Sequence, residues 1–266
     1  MNEIPEIKLG SVLFSIVEPG SGPGEAQAFH RWYERDHFYA GCMMGENYFS
    51  GRRWVATRPL KALRFPADTP ITPDISRGSY LVTYWILDGA YETTLRWSVD
   101  QVLQLHKQDR MAPVRHNIST AFYRYDWGVF RDPDGVPPEL ALEHLYPGIG
   151  VTMVERADGK TDAELNVWLK EYLARHQAGS PIAMTLCLRP QPLPADSPSY
   201  VPRPDPGELD ARYLLLSFLE ADPQTGWSTP FKALERDLAA SGVGKVIYAG
   251  PFIPTVPGTD KYVDEL

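Results

Sequence analysis

The chain has 266 residues, 43% of them hydrophobic and 23% charged, with a formal charge of −8. That length supports one large packed domain or two small ones, and the balance excludes a disordered tail or a fibre. No stretch concentrates Lys and Arg and no run of about 18 apolar residues occurs, so neither a nucleic-acid partner nor a membrane partner is expected. Cys42 and Cys187 lie far apart and by themselves make neither a disulfide framework nor a structural zinc site. With no apolar export signal near the N-terminus, a cytoplasmic setting is expected. Twenty-five prolines beside 12% aromatic residues rule out a simple helical bundle, because so many helix breakers must sit in loops or at edges.

The first element is an apolar, β-branched run at 11–18 (SVLFSIVE), which reads as a buried strand. A Gly-containing loop and a helix at 25–39 follow. Next come a strand at 48–57, a Pro-rich excursion at 58–78, a strand at 79–87, a helix near 93–110 and a long strand at 117–130. The same order then returns. Residues 148–155 (GIGVTMVE) repeat the first strand, 162–177 the first helix, 183–189 the second strand and 190–207 the Pro-rich excursion, which holds seven prolines. The copy closes with a strand at 212–219, a helix at 228–241 and a strand at 245–252. Trp32 and Trp168 occupy matching places on the first helices, 136 residues apart.

Each half is therefore β-α-β-β-α-β, the ferredoxin-like order of an antiparallel sheet with two helices on one face. The strand at 79–87 (SYLVTYWIL) is apolar at nearly every position, and side chains alternate across a strand, so the second sheet face must also be buried. The economical solution is an α+β protein of two tandem repeats whose sheets pack on each other within one chain. The first repeat spans 1–131, a linker 132–147 and the second repeat 148–266.

The densest polar and aromatic cluster is FHRWYERDHFY at 29–39 in the first helix. At helical spacing His30, Glu34 or Tyr33, and His37 form one stripe, with Phe29, Trp32, Asp36 and Tyr39 beside it. A histidine is suited to moving protons because its ordinary pKa, about 6.5, lies near working pH. Glu34 or Asp36 could fix its tautomer and Tyr33 could orient a phenol or carbonyl. Two histidines on a helix of an acidic protein can equally be solvated or paired with those acids. A metal site at His30, Glu34 and His37 lacks the close histidine pairing of a metalloprotease helix, and none is expected. At the Trp32-to-Trp168 offset the stripe becomes Asn166, Lys170 and Leu173, so any chemistry belongs to the first copy.

The repeated topology together with Trp32, Tyr33 and His37 resembles the dimeric α+β barrel superfamily, and within it the EthD-like proteins, whose first helix often carries a W-Y-x-x-x-H pattern. The resemblance implies a cavity between sheet and helices. It also implies cofactor-independent lyase, dehydratase or isomerase chemistry on an aromatic or polyketide-like small molecule, with His37 at the recurrent helix histidine and Trp32 and Tyr33 at the aromatic pair before it; on the helix stripe His30, Tyr33 and Glu34 are expected to assist His37 in catalysis. Trp32, Asp36, Tyr39, Arg53, Tyr84, His116, Tyr123 and Tyr125 are the candidates for substrate contact. No cofactor is expected, and a homodimer is compatible with this reading. The alternatives are a cofactor-free or haem-binding monooxygenase of the same superfamily, and a ligand-binding or stress-response module without turnover. No nucleotide-binding, serine-hydrolase or C-x-x-C motif occurs.

Overall fold

The computed structural model describes residues 6–111, 113–193 and 206–266. Most of the second Pro-rich excursion, 194–205, lies outside the described residues. The first half runs β1 (Leu9–Pro19), α1 (Glu25–Trp32), β2 (Tyr48–Val55), α2 (Arg58–Lys61), β3 (Tyr80–Leu87), α3 (Tyr91–Lys107) and β4 (Arg115–Phe130). The second runs β5 (Gly148–Arg156), α4 (Asp162–Gln177), β6 (Ile182–Pro190), α5 (Pro206–Ala211), β7 (Arg212–Leu219), α6 (Pro223–Gly226), α7 (Ser228–Ser241) and β8 (Gly244–Pro254).

The eight strands close into one antiparallel barrel in the order β1-β3-β2-β8-β5-β7-β6-β4. Each half contributes the four-strand order of a ferredoxin-like unit, and the halves join edge to edge. One joint, β4 with β6, pairs seven positions from Tyr123↔Pro190 to Phe130↔Met184. The other, β2 with β8, pairs only Trp54↔Pro254 and Val55↔Ile253. Closure removes the free sheet edges that would otherwise invite pairing with other chains.

Strand alternation separates two kinds of core. On β1, Val12, Phe14 and Ile16 point into the barrel, where they meet Leu214, Leu216 and Phe218 of β7. Burying such side chains stabilises the fold by roughly 1.5–3 kcal/mol each. The intervening β1 residues, Leu13, Ser15 and Val17, face outward under the helices. The segment joining the halves also enters the barrel, burying Ala141, Leu142 and Tyr146, and Trp85 Nε1 donates to the Pro138 carbonyl at 2.8 Å. The first Pro-rich excursion reaches the other half: Leu60 is interior, and Phe65 pairs with Ala249 of β8.

No helix among the described residues is long and apolar enough to cross a membrane.

Candidate functional site

After Trp32 the first helix changes its winding. Residues Tyr33–His37 and Tyr39–Met43 form two π-helical turns, with Phe38 N–H donating to the Tyr33 carbonyl and Met44 N–H to the Tyr39 carbonyl. A π turn inserts about one extra residue, and one residue corresponds to about 100° of α-helix. His37 therefore leaves the face shared by His30 and Glu34 and joins the face of Tyr33. The widened turn is held from α3, where Gln101 donates to the Ala40 carbonyl at 2.6 Å. Gly41 makes room for the imidazole: a Cβ there would stand 2.9 Å from His37 Cε1 and 3.0 Å from Nδ1.

This geometry opens a cavity of about 310 Å3 between the outer face of β1, β3 and β4 and the helices. Leu13, Leu95, Val99 and Phe122 supply apolar wall, and His37, Tyr33, Tyr84, Cys42, His106 and Arg115 supply polar groups. The volume is at the lower end of the ~300–1,000 Å3 typical of small-molecule sites.

His37 is fixed by aromatic neighbours. Its ring stacks on Trp32 with centroids 4.5 Å apart and planes 14° apart, and it meets Tyr33 edge-on at 5.0 Å. Nδ1 is buried with no hydrogen-bond partner among the described residues. Burial, and then the positive charge of Arg115, lower its pKa to about 4, against a smaller opposing effect of Asp36. The imidazole is therefore neutral near pH 7 and can accept a proton. Tyr84 OH lies 3.4 Å from Tyr33 OH, and burial pushes both phenols above their ordinary value, so both stay protonated. The Cys42 thiol is likewise pushed up, to about 12, by burial, and behaves as wall rather than nucleophile.

His30 is placed differently. Its Nε2 lies 2.8 Å from the Thr259 carbonyl, which can only accept, so Nε2 carries the proton and Nδ1 faces Arg53 Nη2 at 3.4 Å. Desolvation and then Arg53 lower its pKa. Glu34 Oε1 accepts from Gly258 N–H at 2.7 Å, and its Oε2 lies 3.5 Å from His30 Nε2. Glu34, Tyr39 and Arg53 line a second cavity of about 380 Å3 with Arg52 and Glu143. Asp36 is engaged by Arg110 on the surface, and Trp32 Nε1 donates to the Arg110 carbonyl at 2.8 Å. His116 is exposed and pairs with Glu18 in the β1–β4 register. Tyr123 lies inside the barrel edge-on to Phe14, with Tyr125 packed against the same interior cluster.

Of the residues singled out in sequence, the first cavity thus gathers His37, Tyr33 and Tyr84, with Trp32 behind the imidazole. The second takes Glu34, Tyr39 and Arg53, and His30 lies between α1 and the C-terminal segment. Arg115 and His106 were not among the sequence candidates. Arg115 stands at the start of β4 with its guanidinium carbon 4.9 Å from the Trp32 ring centre. Its Nη1 donates to the Met111 carbonyl at 3.0 Å.

A scan against protein-family models finds no match for the chain, and a search of curated proteins finds none either. Solved structures share its fold. A putative chlorite dismutase aligns over 97% of this chain and 100% of its own, with a TM-score of 0.56 at 12% identity. An anthrone oxidase-like protein aligns over 94% and 92%, with a TM-score of 0.52 at 8% identity. A putative monooxygenase from Fusobacterium nucleatum covers 94% of each chain at a TM-score of 0.49 and 8% identity. The class that the fold defines is the dimeric α+β barrel, here completed within one chain by two ferredoxin-like units. The likeness is one of fold.

A haem does not fit the first cavity. About 310 Å3 is too small for a porphyrin with its substituents. Among the described residues no group of three or more His, Cys, Asp or Glu could hold a metal ion.

Proposed function

We propose that the first-half cavity binds a small aromatic or conjugated molecule and that His37 removes a proton from it, in the manner of EthD-like lyases, dehydratases and isomerases. The observation that carries this reading is a neutral, half-buried imidazole that lines an apolar cavity with its ring fixed by Trp32 and Tyr33.

His37 acts as the base, and its stack on Trp32 holds the ring in place. Tyr33, whose hydroxyl faces that of Tyr84, is positioned to donate to a carbonyl or phenol oxygen as charge develops there. The apolar walls exclude water and strengthen both interactions. His30, with its ring placed between Thr259 and Arg53, serves to tie α1 to the C-terminal segment rather than to move protons.

Lyases, dehydratases, isomerases and cofactor-free oxygenases of conjugated substrates share this first step, so the test isolates it. The probe is 2-tetralone in deuterated water, with exchange of its acidic carbon-bound hydrogens followed by proton NMR. The wild-type chain is expected to accelerate exchange, and His37→Gln to lose about 10²–10⁴-fold of that acceleration. Equal exchange by the two proteins would overturn the assignment. Oxygen uptake in the same sample separates an oxygenase from the other three classes.

A further inference from the structure

Several arginines of this chain pair with acids, while others, such as Arg64, spend their donors on backbone carbonyls. Arg31 pairs with Asp260, Arg110 with Asp36, Arg131 with Glu220, Arg156 with Asp210 and Arg189 with Asp162. Arg115 has no carboxylate partner among the described residues, although the chain carries eight more acidic than basic side chains. It is half-buried, lines the first cavity, and spends one of its five N–H donors on the Met111 carbonyl. Leaving a guanidinium partly desolvated and unpaired is costly unless something else supplies the negative charge.

The cavity wall around it is graded. Along β4 the outward residues run Arg115, Asn117, Thr120, Phe122, and opposite them on β1 stand Pro19, Val17, Ser15 and Leu13. Charge and hydrogen-bonding groups thus gather at one end of the cavity and apolar surface at the other. Trp32 couples this end to the base, since its ring carries both the stacked His37 and the nearby Arg115 guanidinium.

Resting on the reading of this cavity as the ligand site, we infer that its ligand is an amphipathic monoanion. One oxyanion, a carboxylate or an ionised phenol or enol, pairs with Arg115, and an aromatic body fills the apolar end. Arg115 selects the ligand by charge and by the planar fork that a carboxylate matches. Beside His37 it also stabilises the oxyanion that forms when a proton leaves the substrate.

The test compares 2-naphthoate with its neutral isostere 2-naphthamide, binding of each being measured by calorimetry at pH 7. Wild type is expected to prefer the carboxylate by about tenfold or more. Arg115→Gln should lose that preference while still binding the amide, which also shows that the variant is folded, and Arg115→Lys should keep part of it. His37→Gln should retain the preference, because the charge it depends on is on Arg115. Equal affinity for the two probes in wild type, or a preference that survives Arg115→Gln, would overturn the anion assignment and leave the proposed function standing. Failure of wild type to bind either probe would overturn both.

Discussion

The two halves of the barrel use the same framework in opposite ways, and the difference is concentrated in their first helices. In the second half, α4 is a regular helix of 16 residues, started by a capping box in which Thr161 and Glu164 satisfy each other's backbone. Its inward face is Leu165, Leu169 and Leu173, buried in one apolar cluster with Phe231, Leu234 and Leu238 of α7. In the first half, α1 begins at Gly24 without a side-chain cap and passes after eight residues into π-helical turns. The positions of Leu169 and Leu173 are taken by Tyr33 and His37, and a cavity replaces the packing. The first half carries widened turns and a histidine-lined cavity where the second carries a regular helix on an apolar core. Such departures from local regularity collect where a fold does chemistry.

Exchanging residues between the halves tests this division most strongly. His37→Leu, which installs the second half's residue, should lower tetralone exchange by about 10²–10⁴-fold while the chain stays folded by circular dichroism. The reverse change, Leu173→His, should leave exchange intact and cost about 3 kcal/mol in urea denaturation, because it buries an unpartnered polar ring in a packed site. If Leu173→His were as harmless as a surface change, the second half would not be the packed one.

Acid should weaken the first half selectively. His37 has a pKa near 4 in the folded chain and an ordinary value of 6.5 when exposed, so between those pH values the unfolded chain binds a proton that the folded chain does not. The stability is complete above pH 6.5 and is lost as pH falls toward 4, by on the order of 3 kcal/mol. His30, also lowered by burial, adds in the same direction. Denaturation midpoints taken across this range should slope less in His37→Leu than in wild type.

Smaller effects sharpen the local picture. Gly41→Val places a side chain against the His37 ring, which is stacked on Trp32 and has little freedom to move; a loss of about 2 kcal/mol in thermal unfolding is expected, with reduced exchange. Gln177 stands at the same offset in α4, where the helix is regular. Thr161→Ala should cost about 1 kcal/mol through the lost cap and leave exchange unchanged.

Much of the fold was readable in the sequence because its signals are local. The runs LFSIV, YLVTYWIL and YLLLSFL can only be strands buried on both faces, and the matched tryptophans set the register of the repeat. What the sequence did not display depends on non-local geometry. The π turns require i→i+5 bonds that no residue pattern announces, so the stripe of His30, Glu34 and His37 expected for an α-helix splits: His37 lines the first cavity, Glu34 the second, and His30 packs against the C-terminal segment. Along β4 a register shift between Tyr125 and Trp127 breaks the alternation. Tyr123 and Tyr125 face the barrel interior, whereas Trp127 packs outside and donates to Asn166 at 2.9 Å. The stretch at 132–147 looks like a connector because of its prolines and acids, yet Leu142 and Tyr146 are core residues. Arg115 precedes the apolar part of its strand, and only the folding of α3 and β4 around Trp32 brings it beside His37.

The cavity between Trp32, His37 and β4 is the proposed meeting place of this chain and its ligand. A crystal structure of the wild-type chain with 2-naphthoate tests it most directly. The naphthalene ring is expected against Leu95, Val99 and Phe122, with its carboxylate within hydrogen-bond distance of the Arg115 guanidinium and beside the imidazole of His37. Naphthoate bound instead beside Arg53 and Glu34 in the second cavity, with the first left without ligand, would contradict it.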